Sequence, residues 1–329
     1  LIDAAGIEER VSFAEVDFTR KEQLCGVIRD ADLVVHTAGP FQQLEVPQVL
    51  DAAIEMGVPY VDVCDEKLLC KAAMTRHEAA KKAGVAAVVS AGIWPGSSAV
   101  MAAACVDQVT AQGVECEELE MSFFTAGTGN AGQTVVAATF LLLVEPVLRY
   151  VRGERQEVEP WSEPKDIDFG GDVGVRRVWL LDEPDVYTLG QITGVPNISS
   201  RFGTAPMVWN YLFAALRLLP HSLLGDKTFG RLLAAFSDPI IRIADSIVGA
   251  TNAMRIDARG GGQHVVCRVV HDDLENCVGI ATAAFGMEML RGNVKAGVHL
   301  PPELWGETGK KILERVKRES DVWDVPGVP

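Results

Sequence analysis

The sequence has no C-x-x-C pair, no run of lysine or arginine longer than two, and no uninterrupted apolar stretch of eighteen residues. Each absence excludes something. Its seven cysteines (25, 64, 70, 105, 116, 267, 277) are scattered and odd in number. A disulfide scaffold or zinc ribbon therefore fits poorly, and a reducing compartment is expected, cytoplasm or an organelle interior such as a plastid stroma. A formal charge of -15 with no basic cluster argues against a nucleic-acid or anionic-membrane role, both of which need a concentrated positive face. The most apolar segment, Met207 to Leu224, is broken by Asn210, Arg217, Pro220 and His221, so no transmembrane helix is expected. No two of the six histidines fall at i, i+4 and no Cys/His cluster exists, so no metal site is expected. No Tyr-x-x-x-Lys pair appears, which weakens a short-chain or sugar-nucleotide reductase. Asn197-Ile198-Ser199 matches a glycosylation acceptor, with nothing else pointing to secretion.

What is present is an alternation of strand and helix patterns over the first ninety residues. Val11–Val16 predicts a strand ending at Asp17, and Thr19-Arg20-Lys21-Glu22 a capping box for a helix to Arg29. Leu33-Val34-Val35 predicts a strand leading into Thr37-Ala38-Gly39-Pro40-Phe41. A helix with Pro47 in its first turn and Gly57 past its end follows. Val58–Val63 is a second buried strand closing on Asp62, Asp65 and Glu66. Asp65 is placed to cap a helix over Glu66–Ala83, stopped by Gly84, and Val85–Ala91 is another apolar strand. This pattern predicts a parallel sheet covered on both faces, with ligands at the carboxyl ends of its strands. A dinucleotide fold normally opens with strand, glycine-rich turn, helix and second strand. None precedes Leu1, so roughly 50–60 residues of such a fold, and any targeting segment, are expected to be missing and the sequence to be a fragment.

After Ala91 the pattern changes. Gly92–Ser98 leads into a helix through Val109, and Glu117–Thr125 predicts a strand. An apolar helix is predicted to about Tyr150, an irregular stretch over 153–172, and strands at Val173–Leu181 and Val186–Thr193. Helices are predicted at Pro206–Leu219 and Asp226–Val248, a hairpin at Ala253–His271, and helices at Leu274–Leu290 and Glu303–Glu319. The expected architecture is α/β: a Rossmann-type parallel sheet lacking its first strand–helix–strand, followed by an α+β mixed-sheet domain. The expected division is 1–96, 97–272 and 273–329, the last as helices packing back on the first domain.

Gly127-Thr128-Gly129-Asn130-Ala131-Gly132 is a literal G-x-G-x-x-G between strand and helix patterns. No second strand with a terminal acid follows at the required distance, and the segment lies beyond the strand–helix alternation. Three readings stand: a tight packing turn, an anion or substrate cradle at a helix N-terminus, and a dinucleotide site.

Three segments together resemble the saccharopine dehydrogenase-like family of NAD(P)-dependent oxidoreductases. They are Ala31–Phe41 (ADLVVHTAGPF), Gly57–Asp62 (GVPYVD) and Ala91–Gly96 (AGIWPG). Val278–Ala284 and Gly297–Glu303 resemble its closing helix and segment more weakly. The resemblance implies a Rossmann domain holding NAD or NADP, and a mixed-sheet domain for a small-molecule substrate and a possible homodimer. It also implies that Thr37, Ala38, Gly39 and Pro40 line the nicotinamide half, that Asp17 lies near the adenine end and that Asp62 borders the cofactor. Where the family often carries a small polar residue, Gly and Glu, this chain has Cys64, Asp65 and Glu66, a departure on the substrate side.

No catalytic residue is identified from sequence. His36 sits in a buried strand and reads as a core histidine. Cys64, flanked by acids, is a poor nucleophile. Gly96, Ser97, Gly127, Gly129 and Gly132 are candidates for substrate or anion binding, with helix capping as the ordinary use of Ser97-Ser98. The expected function is hydride transfer on a small amino-acid-derived or carbonyl substrate. The alternative is a non-catalytic scaffold docking on a partner or membrane through Tyr211–Leu224.

Overall fold

The computed structural model describes residues 10–38, 45–127, 143–224, 226, 228–230, 232–233, 235–237 and 250–328. Helix α1 (Lys21–Ile28) precedes strand β1 (Val34–His36), helix α2 (Gln48–Met56) and strand β2 (Tyr60–Asp62). The apolar residues of α2 recur so that Val49, Leu50, Ala52 and Ala53 share a buried face. It ends where sequence predicts, because Gly57 adopts φ 74 and two backbone bonds, Val58 N–H to Ala53 and Gly57 N–H to Ile54, close the last turn.

Two helices, α3 (Lys67–Met74) and α4 (His77–Ala83), occupy the stretch predicted as one, parted at Thr75-Arg76. Arg76 there pairs with Asp51 of α2 at 2.8 Å. Asp65 caps neither; the N-cap position of α3 is Glu66, whose side chain makes no capping bond to the helix. The capping box at Thr19 does not form either, since Thr19 bonds Asp17 and the cap position is Arg20. Val11–Val16 carries no ladder pairing among the described residues, contrary to expectation.

Strand β3 (Ala86–Val88) follows, and all pairs in this sheet are parallel. Its order is β1-β2-β3-β12, where β12 (Gly297–His299) comes from near the end of the chain. From β3 the backbone enters helix α5 (Ser97–Thr110), whose residues 97–105 are all buried. Its run of alanines lets it lie across a second sheet, against β4 (Glu118–Ala126), β10 (Thr251–Gly260) and β11 (Gln263–His271). One continuous apolar core therefore joins Val61 and Val88 of the first sheet to Met121, Phe123 and Ile256 of the second.

The second sheet is mixed and, among the described residues, has nine strands, seven on its main path and two that branch from it. β13 (Val322–Asp324), β11, β10 and β4 pair antiparallel, and β4 then pairs parallel with β9 (Asn197–Ala205). The stretch predicted as helix near Tyr150 and irregular after 153 is instead β5 (Val147–Val151), β6 (Glu154–Val158) and β7 (Ser162–Asp168). A two-residue turn at Arg152-Gly153, with φ 54 and 81, makes β5–β6 a tight hairpin of the kind that matches strand twist. β8 (Val175–Leu180) agrees with expectation, whereas Val186–Thr193 is not a strand. It belongs to helix α6 (Pro184–Ile192), with Pro184 in its first turn. Helix α7 (Val208–Leu216) closes over stacked Trp161 and Trp179, whose centroids lie 5.5 Å apart, and the short helix α8 (His221–Leu224) follows it. The hairpin β10–β11 and helix α9 (Leu274–Leu290) appear as predicted. Buried Glu288 of α9 binds Arg315 of helix α10 (Glu307–Val316) at 2.7 Å.

Candidate functional site

The parallel sheet delivers three strand ends to one edge. β1 ends at His36 and is followed by Thr37 and Ala38, both small and exposed. β2 ends at Asp62 and continues into Cys64-Asp65-Glu66. β3 continues into Ser90 and a tight turn, Gly92-Ile93-Trp94-Pro95-Gly96, with a cis Trp94–Pro95 bond. Gly92 N–H donates to the Pro95 carbonyl, and Ser97 N–H to the Gly92 carbonyl. Gly96 is held at φ 132 so close to Gly92 that a Cβ would stand 2.3 Å from its carbonyl oxygen. Only glycine fits there.

Against this edge the second domain sets Asp182-Glu183-Pro184-Asp185, the start of α6. Lys67 of α3 reaches across to Asp182 at 2.6 Å, and the other oxygen of Asp182 accepts the Leu148 N–H at 2.8 Å. Asp185, 1% exposed, accepts the Gly96 N–H at 3.3 Å and the Ser98 hydroxyl. Burial pushes its carboxyl up to about 7. Burial, with Glu66 beside it, pushes Asp65 up to about 6. Glu183 is pushed well above the ordinary range by burial and by Asp185, Asp65 and Asp182 around it. Gathered carboxyls in a low-dielectric setting disfavour each other's ionised forms, which brings proton exchange into the neutral range and favours a neighbouring cation.

Asp62 is 3% exposed and buried behind the crevice, so it is not the open crevice residue that its strand-end position suggests. It accepts from Ser90 N–H at 2.7 Å, Cys64 N–H at 3.1 Å and the Tyr60 hydroxyl at 2.9 Å. Tyr60 in turn meets His36 Nδ1 at 2.8 Å. Burial, and then Asp62, push the Cys64 thiol far up, in keeping with a poor nucleophile. Asp17 is exposed and tied to Thr19. Ser97 is wholly buried, while Ser98 does bind a carboxylate, that of Asp185. Gly127 follows β4 at φ 73. Gly39, Pro40, Gly129 and Gly132 lie outside the described residues.

The structure thus brings together Asp65, Gly96, Ser98 and the Asp182–Asp185 segment. Sequence reasoning missed that segment, because Val186–Thr193 was read as a strand. The available signal was Glu-Pro-Asp, with proline where a helix starts and acids in its first turn. Among the described residues no helix is long and apolar enough to cross a membrane, and no group of three or more His, Cys, Asp or Glu is placed to hold a metal ion.

Residues 3–88 match the saccharopine dehydrogenase NADP binding domain family. No curated protein shows significant sequence similarity. Among solved structures, saccharopine dehydrogenase (L-Glu forming) from Saccharomyces cerevisiae superposes with a TM-score of 0.63 at 14% identity, over 96% of this chain and 89% of that one. Homospermidine synthase from Legionella pneumophila, solved in complex with NAD, superposes with a TM-score of 0.57 at 9% identity, over 96% and 80%. Both support the fold, two sheets joined through one core. Residues 3–88 are thus similar to the saccharopine dehydrogenase NADP binding domain, which supports NAD(P) as the cofactor, and the chain as a whole shares the fold of saccharopine dehydrogenase.

Proposed function

We propose that this chain is an NAD(P)-dependent oxidoreductase that moves a hydride to or from a small amino-acid-derived or carbonyl substrate. The observation that carries the reading is the gathering of Asp65, Glu183 and Asp185, with raised carboxyls, beside the carboxyl edge of the parallel sheet. That edge is where a doubly wound sheet takes its ligand, and the acids suit a substrate bearing an ammonium group. On this reading residues 1–96 hold the cofactor, with Thr37, Ala38, Gly39 and Pro40 along its nicotinamide half and Asp17 toward the adenine. Residues 97–272 contribute the substrate side and a homodimer contact, and 273–329 pack back on the first domain. The exposed, small side chains at Thr37 and Ala38 fit a cofactor lying on the backbone. When bound, the cofactor supplies the hydride chemistry, and the protein supplies orientation and proton traffic.

Titration of NADH and NADPH fluorescence with the protein tests this. Saturable binding of one or both is expected, weakened at least about tenfold in Ala38→Arg, with no change in melting temperature. Absence of binding by either cofactor overturns the reading. One observation favours a second reading, a scaffold that docks on a membrane or partner: Val208, Tyr211 and Leu218 are 62%, 57% and 79% exposed. Liposome flotation that is lost on replacing Tyr211, Leu218 and Leu223 by Ser would support it.

A further inference from the structure

His36, Tyr60 and Asp62 form an unbroken chain from the end of β1 into the protein, with contacts of 2.8 and 2.9 Å. Their order follows from register: His36 lies opposite Asp62 in the β1–β2 pair, and Tyr60 and Asp62 project from the same face of β2. The two oxygens of Asp62 have different work. Oδ1 accepts two backbone N–H groups, from Ser90 and Cys64, while Oδ2 meets, among the described residues, the Tyr60 hydroxyl. At the other end, His36 Nε2 is buried and has no hydrogen-bond partner among the described residues. It lines a small cavity, of the size that holds one water molecule, together with Phe18, Pro47, Gln48 and Leu69. Gln48 Oε1, lining the same cavity, is likewise buried without a partner.

The hydroxyl hydrogen of Tyr60 points to Asp62, so its oxygen accepts from His36 Nδ1–H, and Nε2 is left as an acceptor. The two residues that carry these acceptors line one small cavity, and a water molecule is the donor of a size it admits. The chain also has a second arrangement with every internal bond intact. Protonated Oδ2 donates to Tyr60, Tyr60 donates to Nδ1, and Nε2 carries the hydrogen. The two arrangements differ by one proton in total.

We infer that His36, Tyr60 and Asp62 are a proton relay, with His36 Nε2 as its port and Asp62 Oδ2 as its store. A proton entering at Nε2 sends the Nδ1 hydrogen to the Tyr60 oxygen, and the Tyr60 hydrogen passes to Asp62. Histidine and tyrosine stay neutral, and a carboxylate becomes a carboxylic acid. Resting on the oxidoreductase reading, the proton is the one that a substrate O–H or N–H gives up as its carbon loses a hydride, and reduction runs the relay backwards. Burial supports the store, since it pushes the Asp62 carboxyl up and His36 down. The titratable groups facing Asp62 are His36 from β1, Tyr60 on its own strand, Cys64 on the following loop and Cys70 of α3.

Nitrogen NMR of the protein labelled in histidine reads the port directly, with His36 assigned by its loss in His36→Gln. The expected wild-type result is a neutral ring that switches from hydrogen on Nδ1 to hydrogen on Nε2 as pH is lowered. Asp62→Asn, whose amide donates to Tyr60 at every pH, is expected to lock the Nε2–H form. Tyr60→Phe, which keeps the ring, is expected to abolish the switch while retaining the melting profile. A ring that charges on both nitrogens, or a switch that survives in Tyr60→Phe, overturns the relay. With cofactor and substrate, Tyr60→Phe is expected to slow single-turnover hydride transfer at least about tenfold and to remove the multi-proton solvent isotope effect. An unchanged rate overturns the catalytic use of the relay. Failure of the wild type to bind cofactor instead sinks the oxidoreductase reading and leaves the tautomer measurement to decide the relay.

Discussion

Replacing Asp185 by Asn isolates the energetic cost of one buried charge. Burial holds this carboxyl at about 7 in the native protein, against an ordinary value of 3.8. Between those values the native chain keeps a proton that the unfolded chain has released. Stability from this group is therefore full below about pH 4, declines as pH rises, and is gone above about pH 7. Just over three pH units at about 1.4 kcal/mol each gives an upper limit of about 4 kcal/mol. Asparagine is uncharged, and its amide can accept the Gly96 N–H and donate to the Ser98 oxygen, the two groups that now donate to Asp185. The variant is expected to match the wild type within about 1 kcal/mol near pH 4 and to exceed it by about 2–4 kcal/mol near pH 8. Urea unfolding of both proteins at both pH values measures this as a difference of differences, which cancels the titration of groups that do not feel Asp185. Parallel pH profiles for the two proteins would refute the reasoning.

Three further substitutions probe the frame around the site. Gly96→Ala puts a Cβ 2.3 Å from the Gly92 carbonyl oxygen at φ 132, so a loss of about 3 kcal/mol or more is expected in urea melts; a loss under about 1 kcal/mol means the turn yields. Lys67→Met leaves Asp182 buried without its cation and is expected to cost about 2–3 kcal/mol, read as a lower melting temperature that Asp182→Asn in the same chain partly restores. Asp257, 1% exposed, receives Arg255, Arg259 and His264. Burial pushes its carboxyl up, but Arg255 and His264 outweigh that and hold it below the usual value. Its contribution is present above the ordinary carboxylate range and is lost as pH falls below it. Asp257→Asn is expected to cost about 3 kcal/mol at neutral pH, and to cost little in strong acid, by thermal unfolding across pH.

The parallel sheet was legible because its signals are local: short apolar runs for β1, β2 and β3, and Gly57 and Gly84 as helix stops. The hairpin β10–β11 was legible for the same reason, with three glycines between two alternating runs. What was not legible depends on distant partners. Gly297–His299 is a strand only because β3 offers an edge, and Asn197–Ala205 only because β4 does. Arg152-Gly153 was missed because arginine is not the usual first residue of a tight hairpin turn. At the site, Asp62 was found by its place at a strand end, yet that place does not say that three donors would bury it. Asp185 was invisible until folding set it against Gly96 and Ser98, nearly ninety residues earlier in the chain.

The strand from residues 297–299 carries a cost for how the protein is made. During synthesis the edge of β3 emerges some two hundred residues before the segment that will cover it. Throughout that interval the cofactor-binding half of the molecule presents an open, apolar sheet edge, the kind of surface that pairs with other chains. Slow translation or truncation ahead of Gly297 should therefore yield chains that depend on a holdase chaperone and aggregate without one. The first domain is first in sequence but among the last to be finished.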